Sequence, residues 1–535
     1  MRRAFLFPVM TLALAGCGQR DELWDQAAAG QPLTVHGMRA SAAIVDLPAE
    51  RVIFASPRAV DDLAFSAVPL GHGYQTSRPT SDGGRLVVLA SGDVPRRSAE
   101  DEGPSLQVID SMVDPPAVTR YDLSDPLSGL EIDPRSEYAV IYPGDGDTAF
   151  VQNPNELVLV RLDQPPSDSN PVPASLRSFG GRPQGFSFTP DLELPGGARR
   201  LLVVRTDRDV ALVDLSAPEK PEITVKLTAG AVAPRPAGIA VTDGEAGDAT
   251  DARIAVRLEG DPNVILLDLL PTPSDKADTS PHAFSPVPNI VDVGGAPSDV
   301  AFGRTDGGLR LLALVPGKQA LTLVEPATGV TTDIPLGGGF QRLSIVTDIV
   351  GPTAEGSDVA LLWSTSSPAI AFVALGSTVG KPYKSVEVRT LEQPVADVID
   401  VPAPNAHLKV LTSADAQSFV VLNLLSRTTT PLLASAYDTK AFVSSDGERL
   451  WVHSETSRAL ALVGLSDLHP RNLLLNQQVS RAFDLPRQDG GRALLTLDVS
   501  GSMAFTLLDA QDPSLEASTE WLGVLLGDYP QGGEQ

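Results

Sequence analysis

Short apolar runs alternate with polar turns along most of this chain, and the same order returns about every 40 to 60 residues. From about residue 80, each unit has a turn with Asp-Gly or Gly-Gly, a short apolar run, a polar loop and a second apolar run. Glycine supplies the positive backbone angle that tight strand connections need, and short runs of Val, Leu and Ile between such turns are typical of buried strands. Because no helical periodicity accompanies them, the pattern predicts an all-β protein.

Nine units can be delimited by their two apolar runs. The first runs are 86–89, 138–141, 201–204, 254–256, 309–314, 359–363, 408–411, 450–452 and 493–497. The second runs are 106–110, 157–162, 210–215, 264–269, 320–324, 370–375, 419–424, 459–465 and 504–509. A third strand often precedes the turn, and a weaker fourth follows the second run.

Units of three or four short strands at this spacing match the blades of a β-propeller. We predict a single propeller of eight blades, in a range of seven to nine, because larger rings are uncommon. The segments 43–47 and 51–54 are expected to supply an outer strand that closes the ring against the last blade.

The first residues have the order of a bacterial lipoprotein signal. Arg2-Arg3 precedes an apolar run of about a dozen residues that ends in Leu14-Ala15-Gly16-Cys17. This run is far shorter than the roughly 20 residues of a membrane-spanning helix. We therefore predict cleavage between Gly16 and Cys17 and lipidation of Cys17, which would anchor the protein in a membrane.

The residues after the predicted cleavage site bear on location. Gly18-Gln19-Arg20 lacks the Asp that retains a lipoprotein at the inner membrane in enteric-type sorting. The expected location is the outer membrane, on its periplasmic or cell-surface side. The chain then divides into a signal peptide (1–16), a lipidated cysteine and tether (17–32), a propeller (33–515) and a C-terminal tail (516–535).

The repeats resemble a known group of propellers. The Asp-Gly turn with a following Arg, at Asp82, Asp446 and Asp489, is similar to the degenerate blades of bacterial WD-like and YVTN-type propeller proteins, and the signal makes the whole similar to propeller lipoproteins. The Gly-His and Trp-Asp pairs of true WD repeats are missing, as is the Trp docking motif of quinoprotein-type propellers. Trp363 and Trp451 fall inside strand runs and are predicted to be core. The resemblance implies a fold and not a function.

Composition narrows the classes of partner. The chain has 41 Lys and Arg against 67 Asp and Glu, a net charge of −26, so nucleic acid is excluded as an expected partner. Cys17 is the only cysteine, so no disulfide can staple the fold and packing alone must hold it together.

The sharpest local motif is Asp498-Val499-Ser500-Gly501-Ser502 after an apolar run. It resembles the metal-dependent adhesion site of von Willebrand A domains, in which a carboxylate and two hydroxyls hold a divalent cation. Too few residues follow for such a domain, and the segment also fits strand, turn and strand. We expect a turn, and keep metal-dependent adhesion through Asp498, Ser500 and Ser502 as an alternative.

Other candidate chemistry is weaker. The Asp145-Gly146-Asp147 run with Asn153 and Asn155 lacks the spacing of a calcium loop, so we expect a solvated turn there. The run 336–340 lacks the Lys of a phosphate-binding loop and is expected to connect two blades. No two of the six histidines have the close spacing that is typical of zinc ligands, so we expect them to be packed or on the surface. They are His36, His72, His282, His407, His453 and His469. We expect no catalytic residue and no cofactor.

These observations favour a lipid-anchored, non-enzymatic scaffold that presents loops on one face of the ring to a protein or glycan partner. The candidate contact loops are 96–104, 164–172, 244–251 and 271–286. A lactonase-like propeller hydrolase, with titratable groups from several blades meeting at the channel mouth, stays open as the alternative, so enzymatic activity is not decided by the sequence.

Overall fold

Forty-two strands form ten four-stranded antiparallel sheets and one extra hairpin in the described part of the chain. The structure is a computed structural model. It describes residues 34–144, 150–177, 181–227, 234–244, 250–275, 280–347, 358–377, 385–413, 418–433, 439–455, 457–498 and 504–521.

Each sheet is one blade, made of strands that follow one another along the chain. Blade 1 contains β1 (Thr34–Gly37), β2 (Ala42–Asp46), β3 (Arg51–Ala59) and β4 (Asp62–Pro69). Blade 2 contains β5 (Tyr74–Pro79), β6 (Arg85–Ala90), β7 (Ser105–Asp110) and β8 (Ala117–Asp122). Blade 3 contains β9 (Gly129–Ile132), β10 (Tyr138–Tyr142), β11 (Glu156–Arg161) and β12 (Val172–Ser175).

Blade 4 alone among these sheets carries an inserted hairpin. Its sheet contains β13 (Pro183–Phe188), β16 (Leu201–Thr206), β17 (Val210–Asp214) and β18 (Ile223–Val225), and its insertion contains β14 (Leu192–Leu194) and β15 (Gly197–Arg199). Blade 5 contains β19 (Pro236–Thr242), β20 (Arg253–Leu258), β21 (Asn263–Pro271) and β22 (Phe284–Asp292).

The remaining five blades repeat the same order. Blade 6 contains β23 (Asp299–Thr305), β24 (Gly308–Val315), β25 (Ala320–Val324) and β26 (Thr331–Pro335). Blade 7 contains β27 (Arg342–Val346), β28 (Val359–Trp363), β29 (Ala369–Ala374) and β30 (Val386–Thr390). Blade 8 contains β31 (Val395–Asp400), β32 (Leu408–Ser413), β33 (Ser418–Asn423) and β34 (Thr428–Leu433). Blade 9 contains β35 (Thr439–Val443), β36 (Arg449–Ser454), β37 (Ala459–Gly464) and β38 (Pro470–Leu474). Blade 10 contains β39 (Arg481–Pro486), β40 (Arg492–Leu497), β41 (Phe505–Asp509) and β42 (Thr519–Trp521), and two short 3₁₀ turns lie at Pro316–Lys318 and Leu375–Ser377.

The hydrophobic core lies between the blades, in ten clusters that join each sheet to the next. The second and third strands of each blade supply most of these side chains, because both faces of those strands are covered by neighbouring sheets. Ile44 and Ile53 of blade 1 pack with Leu495, Phe505 and Leu507 of blade 10. The ring therefore closes by side-chain packing, without a strand shared between the first and last blades.

The predicted propeller is confirmed, but the predicted count of eight blades, in a range of seven to nine, is wrong because ten sheets are present. All nine units delimited from the sequence are blades 2 to 10. The segments 43–47 and 51–54, expected to supply one outer strand, are instead β2 and β3 of a complete tenth unit. The connection that precedes β2, residues 38–41, contains neither Asp-Gly nor Gly-Gly, so the turn signal by which units were recognised in the sequence is missing there. At the other end, β42 extends blade 10 beyond residue 515.

The Asp-Gly turns join the first and second strands of blades 2, 6, 9 and 10, as the sequence predicts. In blade 2 the Thr80 hydroxyl donates to Asp82 Oδ1 at 2.6 Å, and Gly84 N donates to the same oxygen at 3.1 Å. The Thr80 hydrogen bond lowers the pKa of the Asp82 carboxyl. Gly83 has φ 67°, which favours glycine. The carboxylate thus holds the turn that sets the register of the two strands.

Consecutive antiparallel strands place the connections on two opposite faces of the ring. The hairpin face carries the connections between the first and second and between the third and fourth strands of each blade. The crossover face carries those between the second and third strands and those between blades. Of the four expected contact loops, 96–104 lies on the crossover face, while 164–172 and the described residues of the other two (244, 250–251, 271–275 and 280–286) lie on the hairpin face.

No helix in the described ranges is long and apolar enough to cross a membrane.

Candidate functional site

The hairpin face of blades 3 to 5 carries a group of long connections that we call the loop platform: residues 164–171, 189–200, 272–275 and 280–283. Residues 189–200 include the inserted hairpin, whose Leu192 and Leu194 are buried in the core between blades 4 and 5. The guanidinium of Arg135 in blade 3 forms an ion pair with Asp191 at 2.8 Å. Toward blade 5, Glu193 N donates to Asp243 Oδ1 at 2.6 Å. The insertion thus bridges three blades.

The blade 3 part of the platform is held rigidly from within. Asn170 is fully buried, and its amide nitrogen donates to the carbonyls of Arg161 at 3.0 Å and Gln164 at 3.1 Å. Tyr121 donates its hydroxyl to the Gln164 carbonyl at 2.6 Å. Residues 165–169 are exposed above these contacts. A loop fixed in this way loses little conformational freedom when it binds a partner.

A second feature lies on the crossover face, where the inner strands of blades 4 and 5 begin. Both strands open with the same short sequence, Pro183-Gln184-Gly185 in β13 and Pro236-Ala237-Gly238 in β19, and both contain a β-bulge at that point. Bulges leave one residue out of the ladder, so the middle residue of each tripeptide has no cross-strand partner. This local irregularity recurs in two neighbouring blades.

An arginine stands opposite each of these glycines, Arg205 opposite Gly185 and Arg257 opposite Gly238. A Cβ on Gly185 would lie 2.2 Å from Arg205 Nη2, and one on Gly238 would lie 3.0 Å from Arg257 Nε. Directly opposed residues of an antiparallel pair project to the same face of the sheet. Because the glycines have no side chain, the guanidinium groups can lie over the inner strands, next to the central axis of the ring.

The two guanidinium groups share one backbone acceptor. Arg205 Nη1 donates to the Ala237 carbonyl at 3.1 Å, and Arg257 Nη2 donates to the same oxygen at 3.2 Å. Arg257 Nη1 also donates to the carbonyl of Pro297, just before the inner strand of blade 6, at 3.3 Å. Arg257 Nε is buried without an acceptor among the described residues.

Arg342, the first residue of the blade 7 inner strand, is exposed nearby, and Arg205, Arg257 and Arg342 together form what we call the arginine cluster. In the described ranges, none of the three forms an ion pair with a carboxylate within 4.0 Å. Burial lowers the pKa of Arg205. It also lowers the pKa of Arg257, and Asp299 partly opposes that effect.

The acidic group with the largest electrostatic effect on Arg257 is Asp299, at the start of the blade 6 inner strand. Its carboxylate accepts hydrogen bonds from Val300 N and Leu343 N, each at 3.0 Å, and so joins blades 6 and 7. Burial raises the pKa of Asp299, although both hydrogen bonds and Arg342 act in the opposite direction. Arg205, Arg257 and Asp299 thus place one charged group at each of three successive blade interfaces, all on the crossover face.

A cleft of about 210 Å³ lies on the hairpin face where blades 1, 2 and 10 meet. Met112 and Val113 line it and are each about half exposed. It marks the place where the two ends of the repeat array pack together.

The predicted site residues fall in different places. Gly16, Cys17, Ser500 and Ser502 lie outside the described residues. Asp498 is buried directly after β40, and its N–H donates to the Ala504 carbonyl at 3.0 Å across the connection to β41. The residues of the expected turn, 499–503, lie outside the described ranges, so both the turn and the metal-dependent alternative stay predictions.

The histidines are packed or on the surface, as expected, and they stay apart. His36 Nε2 lies 2.8 Å from the Ser77 hydroxyl, His453 Nδ1 donates to the Val479 carbonyl at 2.9 Å, and His282 Nε2 donates to the Pro221 carbonyl at 2.7 Å. Burial lowers the pKa of His36 and of His453. In the part of the chain that the structure describes, no group of three or more His, Cys, Asp and Glu could hold a metal ion.

His72 differs from the buried histidines because it is half exposed on the crossover face. Its Nδ1 lies 3.2 Å from Asp93 Oδ1 and 3.7 Å from Glu102 Oε2. The hydrogen bond with Asp93 raises the pKa of His72.

Other expectations from the sequence are met in part. Trp451 is fully buried, and Trp363 is partly buried against the core between blades 7 and 8. The run 336–340 connects blades 6 and 7, as expected. Asn153 Oδ1 accepts a hydrogen bond from Asn155 N at 3.1 Å within a turn, and residues 145–149 and 245–249 lie outside the described ranges.

Sequence reasoning missed the arginine cluster. The signal that could have found it is the repeated Pro-x-Gly at the start of two successive inner strands, followed in each blade by an arginine near the end of the second strand.

Comparisons with known proteins bear on the architecture alone. No protein-family model matches this chain, and no curated protein matches it. Among solved structures, the chain is similar to dihydro-heme d1 dehydrogenase NirN at 12% identity, with 82% of this chain and 74% of that one covered and a TM-score of 0.37. It is also similar to the Dos1 propeller (10% identity, 80% and 90% covered, TM-score 0.36) and to Saccharomyces cerevisiae Sqt1 (10% identity, 84% and 96% covered, TM-score 0.37). Likenesses at this level say nothing about what this chain binds or catalyses.

Proposed function

We propose that this protein is a lipid-anchored scaffold of the cell envelope that presents the loop platform to a protein partner. The observation that carries the proposal is the inserted hairpin, which ties the connections of three adjacent blades into one group on the hairpin face. It bridges those blades through the Arg135–Asp191 ion pair and the Glu193–Asp243 hydrogen bond. A rigid ring that presents such a fixed group of loops is suited to recognition.

The lipid anchor rests on the order of charged, apolar and small residues before Cys17. It would hold the ring at the outer membrane, with the platform available to other envelope proteins.

The anchor is tested by mass spectrometry of the N-terminal peptide and by cell fractionation. The comparison is between the wild type and a Cys17→Ser variant in which a cleavable signal peptide of a secreted, non-lipidated protein replaces residues 1–16. We expect the wild-type peptide to begin at Cys17 and to carry acyl mass, and the variant to be folded and to leave the membrane fraction. In an enteric host, Gly18→Asp should keep the lipid but move the protein to the inner membrane. A wild-type peptide without acyl mass, or a processed variant that stays membrane-bound, would contradict the anchor.

The platform is tested with a thiol-directed photocrosslinker on intact cells. Because Cys17 is the only cysteine, Ser169→Cys places a single free thiol on the platform, and Ser98→Cys places one on the crossover face as a matched control. Both serines are exposed in long loops. We expect discrete protein adducts from Ser169→Cys and not from Ser98→Cys. Identical patterns from both positions, or no adduct from either, would sink the proposal.

A further inference from the structure

We propose that the arginine cluster on the crossover face is a binding site for a small oxyanion, a carboxylate or a phosphate, held between the inner strands of blades 4, 5 and 6. This site is independent of the loop platform, which lies on the opposite face.

The first step concerns charge. The chain has a net charge of −26, so carboxylates are plentiful as partners for any arginine. Yet Arg205 and Arg257, both partly buried, contact only backbone carbonyls among the described residues. A guanidinium taken out of water without a counter-charge is costly, so such groups are normally paired. An anion from solution would supply that missing charge.

The second step concerns donors. A guanidinium has five N–H donors in a planar fork, which matches the oxygens of a carboxylate or a phosphate. Arg205 uses one nitrogen on the Ala237 carbonyl, so its other donors have no acceptor in the described structure. Arg257 Nε is buried and also lacks one. Because both side chains touch the same carbonyl oxygen, one small anion can contact both.

The third step concerns the backbone. Two separate Pro-x-Gly bulges produce the same arrangement in neighbouring blades, and each glycine removes the Cβ that would block its arginine. The blade 5 bulge also releases the Ala237 carbonyl from the ladder, so that it can orient both guanidinium groups. Bulges of this kind commonly re-aim side chains next to functional sites.

The surroundings indicate a ligand of small size and low charge. Arg342 is exposed at the edge of the cluster and adds long-range attraction, while Asp299 offsets part of the positive charge. A large acidic macromolecule would be repelled by a chain with a net charge of −26. A metabolite-sized carboxylate or phosphate meets the positive groups and little of the remaining negative charge.

The test is calorimetric titration of the full-length protein in detergent, in a buffer free of other oxyanions, with inorganic phosphate and with succinate as probes. We expect saturable binding of at least one probe at one site per chain. Arg205→Met and Arg257→Met should each weaken it by about tenfold or more, since hydrogen bonds to charged groups are the strong ones. Arg135→Gln removes the same charge at an exposed, paired arginine and should leave binding unchanged.

Two further variants keep the test decisive if a methionine variant does not fold. Arg257→Lys keeps the charge but loses the planar fork, and Gly238→Ala keeps the charge but places a Cβ 3.0 Å from Arg257 Nε. Both should weaken the same probe. The tighter of phosphate and succinate identifies the chemical class. The proposal is overturned if neither probe binds saturably, or if Arg135→Gln weakens binding as much as the cluster variants do.

Discussion

Strands β16 and β20 each have an arginine in or beside both ends, and the arginines at the two ends have different kinds of hydrogen-bond partner. At the hairpin face, Arg200 beside β16 contacts Asp133 Oδ2 at 3.0 Å, and Arg253 in β20 contacts Asp268 Oδ1 at 2.7 Å. At the crossover face, Arg205 and Arg257 contact carbonyl oxygens alone in the described ranges.

The contrast separates two uses of one residue type. Asp133 is fully buried and Arg200 nearly so, and each satisfies the other's charge across the interface of blades 3 and 4. That pair belongs to the structure of the ring. Arg205 and Arg257 lie on the same two strands but form no ion pair with a carboxylate of the described residues, and the proposed anion would be their partner.

The largest expected effect is the loss of stability in Arg200→Met. Removing one partner of a buried ion pair leaves Asp133 charged and unpaired, which costs about 3–5 kcal/mol of unfolding free energy. Arg205→Met, on the same strand, should change stability by less than about 1 kcal/mol, because it removes a desolvated charge with no counterion. Urea denaturation of the two variants measures both. Equal losses would erase the distinction between the faces.

The next effect is stabilisation by the ligand. A probe that binds the folded protein at ten times its dissociation constant should raise the unfolding free energy of the wild type by about 1.4 kcal/mol. Arg257→Met should show almost none of this gain, and Arg135→Gln should show all of it. Thermal unfolding with and without phosphate or succinate gives the comparison, and a full gain in Arg257→Met would place the anion elsewhere.

A smaller effect is the pH dependence that Asp299 contributes. Its folded-state pKa is raised by burial, so its contribution to stability is fully present below the unfolded pKa, about 3.9, and is lost as pH rises through the folded pKa. Asp299→Asn should therefore gain stability relative to the wild type across that window, measured without added oxyanion. A difference between the two proteins that stays constant with pH would show that Asp299 ionises as it does in the unfolded chain.

The smallest effect concerns His72, which is half exposed beside Asp93 on the crossover face. Its raised pKa means that the pair contributes stability below the unfolded pKa of about 6.5, and that this is lost as pH rises through the folded pKa. Solvent screening limits the effect in His72→Gln to a few tenths of a kcal/mol. NMR titration of the imidazole is the sharper measurement, and an unshifted midpoint would contradict the assignment.

The parts of the fold that sequence predicts are those with strong local signals. Runs such as 201–204 and 493–497 are recognisable because both faces are buried between blades, and the turn at Asp82 is marked by its glycine. Blade 1 was missed because the equivalent connection, residues 38–41 between its first and second strands, has no such glycine. The number of blades is set by how the units pack around the ring, which no single unit encodes.

The candidate site was less predictable for a related reason. The histidine spacing indicated packed or surface positions, and His36 and His453 are packed while His72 is half exposed. Arg205 and Gly185 are twenty positions apart, and only the strand pairing and its bulge bring them together. Their meeting with Arg257 further requires the packing of blade 4 against blade 5. Such contacts depend on register and on ring closure, which residue patterns alone do not specify.

The most direct measurement is an anomalous difference map from crystals of the protein equilibrated with selenate at a concentration near its dissociation constant in solution. The account predicts one strong selenium peak within hydrogen-bond distance of the guanidinium groups of Arg205 and Arg257, and none at Arg200 or Arg253. An empty arginine cluster, or peaks at the paired arginines of the hairpin face, would contradict it.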